Sequence, residues 1–254
     1  MDDALRNKLW KQLKIILEYD FLESIKDLNS SLYDDFFKDR IDVTEKNWLT
    51  IKKDLEEKYF ELIWYDVYNL IEFLAKNPNF DNSYYKFNWL NTNKSNVEKI
   101  NQILEEEMSG YRLVDTFIVA IVDEIEIEEI EKVLKIEYNG AKRHLSNALA
   151  FLSDIKTPDY PNSIKESISA VEAVAKEITG KQTDLASCLK VIDLDLNKQF
   201  KTAMTNMYGW TCKEDGIRHG HTGEELKTSF EEAKYMLVTC SAFVNYMIAK
   251  KGQK

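Results

Sequence analysis

Apolar residues return every three or four positions along most of this chain, and only 8 glycines and 3 prolines interrupt its 254 residues. That period lines one face of a helix, so the pattern predicts a mainly α protein and argues against a turn-rich β fold. Leu5, Leu9, Leu13, Ile16 and Leu17 mark an amphipathic helix from Asp3 to about Asp20. A second stripe, Phe21, Ile25, Leu28 and Leu32, runs toward Phe37. Asp42 or Thr44 is the expected N-cap of a third helix through Trp48, Ile51 and Leu55. Tyr59 to Lys76 reads as one long helix ending before Asn77-Pro78. Aromatic residues at helical spacing there favour core over a base-stacking platform.

A loop is expected from Asn79 to Asn96, then a helix from Val97 to Met108. The single β signal is Tyr111 to Ile121, where β-branched and aromatic residues flank Asp115-Thr116, predicting a small hairpin. Asp123 to Glu137 alternates Glu and Ile at first, yet Ile130, Val133 and Leu134 restore helical spacing, giving a helix with a solvated acidic face. Further helices are predicted at Gly140 to Ser153, Pro161 to Thr179 with Gly180 as stop, Asp184 to Ile192, Leu196 to Met207, and Phe230 to Lys250. A division near Asn139-Gly140 separates an N-terminal helical region with the hairpin, 1–139, from a second helical region, 140–254.

The net charge of −10 argues against nucleic-acid binding over the whole surface, because affinity for phosphates comes from clustered Lys and Arg. Any such contact has to be local, assembled from particular positions among the 34 basic residues or between subunits. Cys188, Cys212 and Cys240 are odd in number and lack C-x-x-C spacing, which fits a reducing cytoplasm. No apolar leader or membrane-length window is present, so the expectation is a soluble cytoplasmic protein without membrane contact.

The densest chemistry sits in Asp215-Gly216-Ile217-Arg218-His219-Gly220-His221, which holds two of the chain's three histidines beside an arginine. Arg218 can hold a phosphate bidentately, and His219 or His221 can move a proton near neutral pH. This suits metal-independent RNA cleavage: the guanidinium stabilises transition-state charge while an imidazole serves the ribose 2′-hydroxyl or the leaving group. Glu172, at the margin of the apolar arc of its helix, is a candidate acidic neighbour, with the Arg218/His219 cluster as its partner; the alternatives are a lysine of the N-terminal half or a snorkelled, exposed carboxylate. The competing reading is a structural turn before the last helix. Zinc held by Cys212, His219 and His221 is a third reading, with three ligands only. P-loop, dinucleotide and nucleophile-elbow motifs are absent from the sequence, and no cofactor is called for.

Tyr160 to Ala173, Tyr208-Gly209-Trp210-Thr211, Asp215 to His219 and Glu232 to Tyr246 resemble the AbiJ-type abortive-infection proteins of bacteria, whose helical region belongs with or near the HEPN superfamily. Met1 to Trp10 resembles the start of AbiJ N-terminal domain 4. The resemblance implies a HEPN-like helical bundle over 140–254, a homodimer, and a role in antiviral defence or toxin-antitoxin-like RNA cleavage, with an antitoxin or a second effector as partner. It also implies Arg218 as the catalytic Arg, His219 or His221 as the His, and Glu172 as the supporting acid. HEPN ribonucleases place the His several residues after the Arg, whereas here His219 and His221 follow Arg218 by one and three residues. Some HEPN-like proteins are noncatalytic RNA-binding or sensing modules.

Overall fold

The computed structural model describes residues 1–22, 30–39, 47–77, 95–213 and 228–253. They are mainly α-helical, as the apolar period predicts, and divide into two compact units, Met1–Ala120 and Ile121–Lys254.

In the first unit, α1 (Asp3–Leu22) begins where the Leu5 N–H donates to Asp2 Oδ1 at 2.9 Å. It buries all five residues of its predicted stripe, Leu5, Leu9, Leu13, Ile16 and Leu17. Ile25 and Leu28 of the second stripe lie outside the described residues, and Leu32–Phe37 forms a π-helical turn. Asp42 and Thr44, the expected caps, also lie outside them; the cap of α2 (Trp48–Glu61) is Asn47, whose Oδ1 accepts from the Thr50 N–H at 3.0 Å.

The long helix expected from Tyr59 to Lys76 is two helices. Leu62 and Ile63 are extended, and α3 (Trp64–Ala75) starts after them. No Gly or Pro marks this break. Its cause is tertiary: the Arg6 guanidinium donates to the carbonyls of Phe60 (3.0 Å) and Leu62 (2.7 Å), while the Tyr59 hydroxyl donates to the Arg6 carbonyl (2.9 Å). A helix end leaves carbonyls without intrahelical partners, and a cation supplied from α1 satisfies them at that point.

Ser95 opens α4 (Asn96–Glu106) with a reciprocal capping box to Glu98. The predicted hairpin follows as β1 (Arg112–Val114) and β2 (Phe117–Val119), with Asp115 at φ 55 in the turn. Val114 faces Phe117 next to the two-residue turn and Leu113 faces Ile118. Antiparallel pairs alternate, so the Leu113–Ile118 pair turns its backbone groups outward. Side chains meet them there. Asn101 both accepts from the Leu113 N–H (2.7 Å) and donates to its carbonyl (2.8 Å), and Glu72 accepts from the Ile118 N–H (2.7 Å).

The second unit begins with α5 (Glu124–Leu134), the predicted acidic helix, capped by Asp123. It packs on α10 (Phe230–Gly252) and on α6 (Asn139–Ser153), and α7 (Tyr160–Thr179) packs on both α6 and α10. Gly180, left-handed at φ 66, stops α7 as predicted. Asp184 caps α8 (Leu185–Val191). α9 (Lys198–Lys213) runs past the predicted end at Met207, and Gly209 does not break it; Thr211, fully buried, turns its hydroxyl to the Tyr208 carbonyl. Ala233, Leu237, Cys240, Val244 and Met247 of the predicted α10 stripe are buried, while Phe230 is half-buried. Burial pushes the Cys240 thiol up, in keeping with a small hydrophobe.

Small residues let α6 and α7 approach closely. A Cβ on Gly140 would stand 3.3 Å from Ala173 Cβ, and the buried Ser163 hydroxyl donates across to the Ala148 carbonyl at 2.9 Å. Gly140→Ala is therefore expected to be near neutral, its helix propensity offsetting the tight contact, whereas Gly140→Leu should cost about 2 kcal/mol by overpacking. Denaturant midpoints of the two variants check this.

Between α5 and α10, the Asn245 amide donates to Glu129 Oε2 (2.7 Å) and to the Glu129 carbonyl (2.9 Å), and Lys132 pairs with the same carboxylate (2.8 Å). Lys132 first, then Asn245, hold the Glu129 carboxyl below its usual range. A depressed folded-state value contributes stability above the ordinary glutamate range, and that stability is lost as pH falls through the depressed value. Glu129→Gln should thus flatten the acid side of a Tm-against-pH profile and leave its slope near neutrality unchanged. Among the described residues no helix is long and apolar enough to cross a membrane.

Candidate functional site

Of the four predicted site residues, Glu172 alone is described; Arg218, His219 and His221 belong to 214–227, outside the described residues. Glu172 is the thirteenth of the 20 residues of α7, its side chain 13% exposed, in keeping with a place at the margin of the apolar arc. Lys176 pairs with it at 2.7 Å. A Glu four residues before a Lys is the favourable orientation of an intrahelical pair, so among the described residues its ion-pair partner is local, not a lysine of the N-terminal half, and the spacing is visible in the sequence.

α9 and α10 are the two helices that bracket the Arg/His segment in sequence. Phe200 of α9 meets Tyr246 of α10 with ring centroids 6.0 Å apart. Toward the other end of α9 the pair borders a cleft of about 390 Å3 lined by Asn206, Met207, Trp210, Glu232, Tyr235 and Met236. Trp210 is three residues from the last residue of α9, and Glu232 is the third residue of α10. Glu232 also closes the capping box of α10: its Oε2 accepts from the Ser229 N–H at 2.8 Å. The Ser229 hydroxyl, then its N–H, hold the Glu232 carboxyl below the usual range, so it is ionised at neutral pH. The cleft offers aromatic and thioether surface, beside one fixed negative charge, at the anchor points of the segment that carries Arg218, His219 and His221.

One arrangement escaped the sequence reading. His144, the third histidine, projects from α6 with its Nδ1 2.8 Å from Glu166 Oε2 on α7, and the Asn147 amide donates to the same oxygen at 3.1 Å. Both side chains are mostly covered, at 25% and 16% exposure. Antiparallel helices bring the two residues together across 22 positions of sequence, a pairing for which no short motif exists. The available signal was H-x-x-N on one face of α6. Of the zinc reading, Cys212 is half-buried near the end of α9, and its two histidine partners lie outside the described residues. Among the described residues, no three His, Cys, Asp or Glu side chains are grouped to hold a metal ion.

The chain is helical, with a two-strand hairpin and, between its last two helices, a segment that carries Arg218, His219 and His221. The AbiJ N-terminal domain 4 family model matches residues 1–135, more than half of the chain, and the chain belongs to that family of abortive-infection proteins. Comparison with curated proteins and with solved structures gives no match.

Proposed function

We propose that this abortive-infection protein is an effector that cleaves RNA without a metal ion, using Arg218 with His219 or His221 and Glu172 as the supporting acid. The observation that carries the reading is the AbiJ-family match joined to the Arg/His cluster between α9 and α10. In this reading residues 140–254 act as a HEPN-like bundle. Two copies meet so that their clusters share a groove, and an antitoxin or second effector restrains the cytoplasmic enzyme until infection.

Chemically, an imidazole removes the ribose 2′-hydroxyl proton, the 2′-oxygen bonds to phosphorus, and the bond to the 5′-oxygen breaks. The second imidazole or water returns a proton to that leaving oxygen. Arg218 offsets the charge that builds on the non-bridging oxygens. Purified protein incubated with RNA in EDTA should release fragments ending in 2′,3′-cyclic phosphate. RNA left intact, or cleavage that needs added metal, sinks the reading.

The rival is a noncatalytic sensing or interaction module. Two observations favour it: the short Arg–His spacing, and a Glu172 carboxylate already paired with Lys176. It expects no cleavage in EDTA or with metals, and a fold that weakens when Arg218 is removed.

A further inference from the structure

A chain with net charge −10 holds RNA best where fixed cations lie clear of carboxylate partners, and the Lys142–Arg143 pair of α6 is such a place. The 15 residues of that helix, Asn139–Ser153, contain no Asp or Glu but do contain Lys142, Arg143 and His144 in succession. Lys142 and Arg143 are exposed, and among the described residues neither forms an ion pair. Glu166, the carboxylate that reaches this stretch from α7, directs its contact oxygen to His144 and Asn147. Anchoring Nδ1 in this way fixes the imidazole and leaves Nε2 for another group.

A third fixed cation arrives from the far end of α10. Lys251 Nζ donates to the Tyr138 hydroxyl at 2.9 Å and lies 5.3 Å from the centre of that ring, and Tyr138 immediately precedes α6. Glu177 is the carboxylate whose field reaches Lys251. Cations in the opening turns of a helix oppose its dipole, so this cluster does not serve the stability of α6.

We propose that Lys142 and Arg143, flanked by Glu166-anchored His144 and by Lys251, bind the phosphodiester backbone of RNA. This rests on the RNA-directed reading above and adds to it a contact surface separate from the Arg218 cluster. Arg143 supplies a planar fork that matches two phosphate oxygens, and Lys142 adds a point charge beside it. Neither reads a base edge, so the surface is indifferent to sequence.

The test uses the full chain and a fluorescein-labelled, short, mixed-sequence single-stranded RNA, followed by anisotropy over a salt series in EDTA. A His219→Ala/His221→Ala background keeps the probe intact. Adding Lys142→Ala and Arg143→Ala should weaken binding at low salt by tenfold or more. It should also lower the slope of log K against log salt by about 1.4, two phosphate contacts at roughly 0.7 each for a single strand. Tm should be unchanged or raised. Unchanged affinity and slope would overturn this surface and leave the cleavage reading standing. Binding that falls as expected in a protein whose wild type never cleaves RNA would sink only the cleavage reading. No RNA binding by the His219→Ala/His221→Ala protein or by wild type would sink both.

Discussion

Arg218→Ala is expected to abolish RNA cleavage and the cell toxicity that follows from it, with thermal unfolding displaced by no more than a surface change produces, about 0.5 kcal/mol. Removing a charge aimed at the transition state costs about 100-fold to 1,000-fold in rate, and removing a positioned proton carrier about 100-fold to 10,000-fold. The His219→Ala/His221→Ala double change should therefore silence the protein as well. Glu172→Gln tests the supporting role separately. If the carboxylate only pairs with Lys176 along α7, its loss changes stability by a few tenths of a kcal/mol and leaves the rate alone. A supporting acid lowers the rate instead. Toxicity that survives the double histidine change ends the catalytic reading. Destabilisation by Arg218→Ala favours the structural turn.

Asn101→Leu carries the largest expected effect on folding. One amide satisfies both outward-facing backbone groups of Leu113, a residue that is itself fully buried. Leucine has nearly the same volume but neither donor nor acceptor, and it occupies the space a water would need. Each backbone group stranded in this way costs about 1–3 kcal/mol, so the pair should cost about 3 kcal/mol. Urea unfolding should show a lower midpoint at unchanged slope. A loss under about 1 kcal/mol would mean that solvent replaces the amide.

Local grammar carried most of the helical reading. The stripe Leu5, Leu9, Leu13, Ile16 and Leu17, the stop at Gly180, and the Asp115-Thr116 turn each depend on neighbours in sequence, and each stands in the structure as read. The break at Leu62–Ile63 was illegible because its cause is an arginine 54 positions away, reaching the Phe60 carbonyl. The extension of α9 beyond Met207 was missed for a related reason: Gly209 carries an intrinsic penalty, and the burial of Thr211 outweighs it. At the candidate site the sequence singled out Arg218, His219 and His221 by composition alone. It was silent on His144 with Glu166, since contacts between helix faces leave no fixed spacing.

The Asn101 and Glu72 contacts have a consequence for the protein's behaviour in a crowded cell. A two-stranded ribbon has two open flanks, and an open flank is a template on which a foreign strand can grow. Here an amide closes one flank and a carboxylate closes the other, each from a helix that cannot itself be extended as a strand. The hairpin is thereby kept from seeding strand addition between copies of the chain.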